Sequence, residues 1–318
     1  MPAFEGNTAL PLIHSDPEMR RILDLAGRVA ASDANVLITG ESGTGKSLLA
    51  ETIHRQSPRA AGPFVTVACA NISEEMLESD LFGHEKGAFT GAENRRIGKF
   101  EQAQGGTLFL DEVSELSSRL QGKLLRVVQE RCFERLAGDQ TIQVNLRLLA
   151  SSATDLEAAA RKDRFRKDLY YRLNVIAIRI PALRERPEDI LLLADHFLEE
   201  AAGRHRREGM KFKSETRELL RYHPWPGNVR ELKNVVERAV IASTGAEIGA
   251  GDLPLSPAER TGAVLRAATV EMMTLDRLEE AYIREVLRTT RGNKTEAARI
   301  LGINRKTLLE KRKRYGIS

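Results

Sequence analysis

The chain has 318 residues, 42% hydrophobic and 30% charged, which suits a globular protein of one to three domains with a substantial core. No apolar run approaches the length of a bilayer span, and the N-terminal stretch lacks the basic and apolar segments of a signal peptide. The net charge of +4 is uneven: residues 291–318 hold nine Lys or Arg against two Glu, a local +7 that leaves −3 on residues 1–290. Cys69 and Cys132 match no metal or redox spacing and read as buried, reduced thiols of a cytosolic protein.

In chain order, residues 1–15 read as a tail. Asp16 to Ser32 read as a helix with an apolar stripe at Met19, Ile22, Leu23, Leu25 and Val29. Ala34 to Gly40 read as a buried strand, followed by a glycine-rich turn and a helix from Lys46 to Arg55. Strand patterns recur in FVTVACA, TLFLD, LRLLASS and NVIAIRI, separated by helical runs such as residues 117–130. This alternation predicts an α/β domain over residues 16–185, a parallel sheet with helices on both faces. After Pro181 the strands stop, and residues 186–244 read as helices alone. Residues 245–274 lose the helical period and gain Gly, Pro and Ser, as a linker does, and residues 275–318 are helical again.

Gly40, Glu41, Ser42, Gly43, Thr44, Gly45, Lys46 and Ser47 fit the phosphate loop G-x-x-x-x-G-K-[ST], placed between a strand and a helix. Its glycines let backbone N–H groups converge on phosphate oxygens, Lys46 neutralises the β- and γ-phosphates of ATP, and Ser47 would ligate Mg2+. TLFLDE supplies the second element: Asp111 would hold the hydrated Mg2+, and Glu112 would orient or deprotonate the attacking water. Such carboxylates suit hydrolysis; a kinase acceptor site is not apparent.

In the basic tail, Leu275, Leu278, Tyr282 and Val286 form a helical stripe, and Asn293 to Glu296 form a capping pattern. Ala297, Ala298 and Leu301 face inward and Gly302 ends that helix. Asn304 begins the next, which runs to Arg314 with Leu308 and Tyr315 inward. This predicts an all-α helix-turn-helix that presents Asn304, Arg305, Lys306, Thr307, Glu310, Lys311 and Arg314 to double-stranded DNA.

These motifs, with ESDLFGHEKGAFTGA, FRKDLYYRLNV, PALRERPEDI and WPGNVRELKN, resemble one family closely over about residues 14–318. It is the AAA+ ATPases that activate bacterial RNA polymerase carrying sigma-54, also called enhancer-binding proteins, whose C-terminal unit is a Fis-type DNA-binding domain. The resemblance implies a P-loop AAA+ domain with an α-helical lid, followed by the helix-turn-helix. It implies that Gly87, Ala88, Phe89, Thr90, Gly91 and Ala92 form the tip of an inserted loop whose Phe89 and Thr90 touch sigma-54. Glycines 87 and 91 allow a sharp turn, and an exposed aromatic suits an interface anchor.

By the same resemblance Arg166 and Arg172 act as arginine fingers across a subunit boundary; six positions apart on one helix they point away from each other, which leaves open which one reaches the γ-phosphate. Asn228 and Glu231 form a capping pattern that puts Arg230 in the first turn of a lid helix, where it would sense the γ-phosphate. The partners implied are upstream enhancer DNA, sigma-54 RNA polymerase and further copies of the chain in a hexameric ring assembled from dimers. A regulatory partner, or a regulatory N-terminal domain outside these residues, would supply control; no membrane is involved.

Two departures from the family pattern stand near the acid pair. Ala68 replaces a usual Asn that links the pair to the loop, with Asn71 three positions on, and Ser152-Ala153 replaces a usual Thr-Asn. Glu310 and Arg312 stand where relatives often carry Arg and Leu. The second reading of the sequence is therefore a DNA-binding regulator whose AAA+ domain is only a nucleotide-controlled oligomerisation switch.

Overall fold

The computed structural model describes residues 12–317, apart from residues 71, 90, 91, 271–273 and 291. The chain divides into two compact units that meet at residues 182 and 183.

The first unit begins with α1 (Pro17–Ala30). Asp16 is its cap rather than its first residue, because the carboxylate accepts from the N–H groups of Glu18 and Met19 at 2.8 and 3.0 Å. There follow β1 (Val36–Thr39), α2 (Lys46–Arg55), β2 (Phe64–Ala68), α3 (Glu74–Phe82), and the short strands β3 (Gly83–His84) and β4 (Arg96–Ile97). Next come α4 (Lys99–Gln102), β5 (Thr107–Asp111), α5 (Ser118–Glu130), β6 (Cys132–Glu134) and β7 (Thr141–Gln143). The unit closes with β8 (Arg147–Ser152), α6 (Leu156–Arg161), α7 (Lys167–Leu173) and β9 (Ile176–Arg179).

Five of these strands form one parallel sheet in the order β2-β5-β8-β1-β9. Alternate residues feed opposite faces, so the strands are apolar throughout. Val36, Ile38, Phe109, Leu149 and Ile178 pack against Met19, Ile22, Leu49 and Ile53 of α1 and α2. Leu37, Leu108, Leu110 and Leu148 pack on the other face against α3, α5 and α7. Each such side chain contributes about 1.5–3 kcal/mol by leaving water. Arg147 is buried at the foot of β8 and donates to the carbonyls of Val29, Ala30 and Ala34 at 2.9, 3.0 and 3.3 Å, satisfying the C-terminus of α1.

The inserted loop grows from the antiparallel pair β3–β4. At its root the backbones nearly touch: a Cβ on Gly83 would lie 2.5 Å from the Arg96 carbonyl oxygen, and one on Gly98 would lie 2.4 Å from the Gly83 nitrogen. Only glycines permit that crossing.

The second unit contains α8 (Pro187–Arg204), β10 (Lys211–Phe212), α9 (Ser214–Tyr222), α10 (Asn228–Ala242), β11 (Glu247–Ile248), α11 (Pro257–Val270), α12 (Leu275–Thr289), α13 (Lys294–Ile300) and α14 (Arg305–Arg314). Three expectations need correction. A small parallel pair, β10–β11, accompanies the helices, so the strands do not stop at Pro181. Residues 257–270, expected within a linker, form α11, with Ala263 buried and Arg266 donating to the Tyr222 carbonyl at 3.1 Å. In α12 the inward stripe is Ile283, Val286 and Leu287, while Leu275 is 83% exposed and Tyr282 is also exposed. Val286 is thus the shared member, and the buried face is rotated from the expected one.

Candidate functional site

The ends of β1, β5 and β8 lie side by side, so the loops that leave them converge, as ligand sites do at the carboxyl edge of parallel sheets. Gly40 sits at the end of β1 at φ 149°, where a Cβ would come within 2.7 Å of the Ile180 carbonyl oxygen. Its N–H donates to Ser152 O at 3.3 Å, which ties the loop to β8. Glu41, Ser42, Gly43 and Thr44 curl round to Gly45, the cap of α2, with Thr44 Oγ1 donating to the Glu41 carbonyl at 2.8 Å. Lys46, the first residue of α2, is 5% exposed.

Its ammonium donates to Gly40 O at 2.8 Å and Glu41 O at 3.2 Å and lies 2.9 Å from Glu112 Oε1. Two backbone carbonyls and one carboxylate thus surround the ammonium. The second oxygen of Glu112 accepts from the Ala153 N–H at 2.7 Å. Glu112 itself has a left-handed backbone, φ 60°. Ser47 Oγ donates to Asp111 Oδ2 at 3.5 Å, and Ser151 Oγ donates to Asp111 Oδ1. The N–H of Glu112 donates to the same Ser151 oxygen at 3.0 Å. Ser47 and Asp111 offer hard oxygen donors on adjoining elements, the chemistry a hydrated magnesium ion takes. Ala68 is the register partner of Asp111 and brings no polar atom to it.

Cys69 donates its N–H to the Asp111 carbonyl at 2.9 Å, and its thiol is pushed up to about 12 by burial, with the charges of Asp111 and Glu112 adding to the effect. It is inert as a nucleophile.

The loop tip is closed by Gly87 N–H donating to Ala92 O at 2.8 Å and Ala92 N–H donating to Phe89 O at 3.0 Å. Ala88 N–H donates to Glu85 O at 3.2 Å, and Ala92 is buried. Phe89 is 45% exposed and sets its ring edge-on to His84, centroids 5.0 Å apart. It is therefore half-supported, on a histidine that pairs with Ser79 Oγ at 2.7 Å and Asn94 O at 3.1 Å. Thr90 and Gly91 lie outside the described residues, as does Asn71.

Arg166 and Arg172 do not share a helix. Arg166 is the residue before α7, in extended backbone, where its N–H donates to Gln121 Oε1 at 2.8 Å and its guanidinium makes a two-point pair with Asp168 at 2.8 and 3.1 Å. That guanidinium holds the Asp168 carboxyl below its usual range. Arg172 stands exposed in the last turn of α7, its carbonyl accepting from Asn35 Nδ2 at 2.9 Å.

In the second unit, Arg230 is exposed in the first turn of α10 as expected, but the cap differs. Gly227 is the cap position, Glu231 Oε2 accepts from its N–H at 2.7 Å, and Asn228 lies inside the helix end at φ 53°, accepting from Leu183 N–H at 2.8 Å. The tight turn from Trp225 consumes the asparagine side chain elsewhere.

Asn293 and Asn304 cap α13 and α14 through their side chains, and Ala297, Ala298 and Leu308 are buried between the helices. Arg305, Lys306 and Glu310 are exposed on α14. Thr307 is half-buried, donating to Asn304 Oδ1 at 3.0 Å. Lys311 and Arg314 instead turn to α12, 2.6 Å from Glu279 and 2.9 Å from Asp276, because those carboxylates lie opposite them. Arg314 remains exposed while so paired, and Lys311 is half-buried.

Comparison with known families places three consecutive matches on the chain. A sigma-54 interaction domain covers residues 12–179, an AAA+ ATPase lid domain 184–268, and a bacterial regulatory protein of the Fis family 274–315. The lid match thus takes in most of α11. The transcriptional regulatory protein ZraR of Escherichia coli K12 is 49% identical over 300 residues, covering 94% of this chain and 68% of the relative. The regulatory protein AtoC of the same organism is 47% identical over 312 residues, with 96% and 68% covered. Among solved structures, NtrX of Brucella abortus in complex with ATP superposes with a TM-score of 0.72 at 36% identity, covering 97% of this chain and 70% of that one. Yeast Hsp104 bound to casein, at 18% identity and a TM-score of 0.51 over 70% of this chain and 44% of its own, shares the fold.

Proposed function

The chain belongs to the family of sigma-54-dependent transcriptional regulators built on a P-loop AAA+ domain, and from that membership we propose that it hydrolyses ATP and uses the cleavage to remodel sigma-54 RNA polymerase at promoters. The observation that carries the reading is the convergence of Lys46, Ser47, Asp111 and Glu112 at one edge of the sheet, with Lys46 Nζ 2.9 Å from Glu112 Oε1.

ATP would lay its phosphates along residues 40–47, whose backbone N–H groups and helix N-terminus favour anions. Lys46 would exchange its bond to Glu112 for the γ-phosphate, releasing that carboxylate to take a proton from the attacking water. A magnesium ion held by Ser47 and Asp111 would neutralise charge on the phosphates. Arg166 or Arg172 of a neighbouring copy would stabilise the transferring phosphoryl group, and Arg230 would respond to it; a ring, a hexamer by family likeness, provides the neighbour. Phe89 on the inserted loop would engage sigma-54, while Arg305, Lys306 and Glu310 would read upstream DNA. The contact from Ala153 N–H to Glu112 favours a working motor over a bare oligomerisation switch, since a backbone donor reaches the acid where the usual amide side chain is missing.

The deciding experiment is open-complex formation on a sigma-54 promoter with ATP or a non-hydrolysable analogue. The reading requires opening with ATP alone and its loss in Phe89→Ala. Equal opening with both nucleotides would overturn it.

A further inference from the structure

In the cavity beside the inserted loop, Arg119, Lys123, Arg126 and Arg135 are each already paired with a glutamate, whereas one uncharged side chain touches both members of the acid pair. We propose that Ser151 is the positioning residue that sets Asp111 and Glu112 for hydrolysis, a proposal that rests on the ATPase reading above. Its hydroxyl has no freedom in its roles. The Glu112 N–H can only donate, so Ser151 Oγ accepts there at 3.0 Å. Its single proton then goes to Asp111 Oδ1, which as a carboxylate oxygen can only accept. Ser151 is 0% exposed, so water cannot substitute for it.

Two consequences follow. Fixing Oδ1 turns the other oxygen, Oδ2, toward Ser47, 3.5 Å away, which is the side where a magnesium ion would be held. Among the described residues, Ser47 and Ser151 are the side chains that hydrogen-bond Asp111, and the Ser47 contact is the long one. Fixing the Glu112 N–H holds that residue in its left-handed backbone, a conformation unfavourable for an L-residue that persists only where surroundings enforce it. From there its carboxylate spans Lys46 and the Ala153 N–H. Ala68 and Ala153 carry no side-chain amide, so beside Lys46 and Ser47 the pair is oriented by this hydroxyl and the Ala153 N–H.

The test is Ser151→Ala in the full chain, with three readouts. Steady-state ATP hydrolysis should show kcat reduced about tenfold with KM for ATP within about twofold. Mn2+ titrated by electron paramagnetic resonance in the presence of a non-hydrolysable ATP analogue should half-saturate at a concentration at least about threefold higher than in wild type. The melting temperature should stay within a few degrees. Unchanged kcat and unchanged Mn2+ titration would overturn the proposal, as would a loss of kcat matched by equal loss of nucleotide affinity, which marks a merely structural role. Should the wild type itself fail to hydrolyse ATP, the ATPase reading fails separately. The Mn2+ arm then still decides: weaker binding in Ser151→Ala supports the proposal, and equal binding sinks it.

Discussion

Glu112 is pulled from two sides, by a lysine ammonium and by a backbone N–H, and neither is the substrate it is proposed to serve. Removing its charge while keeping its shape separates binding from chemistry. Glu112→Gln is expected to keep ATP affinity, since Lys46 is freed for phosphate, and to reduce kcat by about 10²-fold or more. A filter-binding assay beside a turnover assay checks this, and parallel loss of both would contradict it. Much of this site was legible because its parts are contiguous words: GESGTGKS and TLFLDE each carry strand, turn and functional group together. Ser151 was not legible, because its partner lies 40 residues away in sequence and nothing about a lone serine announces a carboxylate beside it. The Ala153 donor was less legible still, being backbone. The pairing of Arg166 with Asp168, by contrast, is local and could have been read from their spacing.

At the scale of elements, the sheet and its helices follow from alternation and apolar content, and the misses share one cause. Where side chains are small or the apolar stripe is thin, local pattern underdetermines what tertiary contact decides. Residues 257–270 hold Gly262 and several alanines, so no strong period marks α11, yet Ala263 packs away completely. In α12 the tempting stripe includes Leu275, which the fold leaves in solvent. Arg147 is the converse case, a charged residue whose place no pattern suggests. Burial disfavours its charge, and its two bonds to the end of α1, with a third to the Ala34 carbonyl just beyond it, offset that cost. Arg147→Ala should lower unfolding stability by about 2–3 kcal/mol, read as a shifted denaturant midpoint; a change below about 0.5 kcal/mol would show that the α1 carbonyls find other donors.

For the whole molecule, charge is segregated, and the positive end is the one proposed to meet DNA. Affinity for an upstream site should therefore fall steeply with salt, and Arg305→Ala should weaken it by about 1–3 kcal/mol while changing base preference. A gel-shift series with unchanged affinity and preference would count against α14 as the reading helix. Two buried histidines titrate below their ordinary range: His54, facing Thr107 in the first unit, and His223, against Trp225 in the second. Burial holds both below the ordinary 6.5, so the unfolded chain binds the extra protons and stability present above about pH 6.5 is lost as pH falls through it. Melting curves taken from about pH 8 to about pH 5 should descend, and a flat profile would refute the assignment. The bare crossing of Gly83 and Gly98 carries a last implication. A neck with no atoms to spare has no room for a side chain, so even one added methyl at Gly83 or Gly98 would force the two strands at the root of the arm apart.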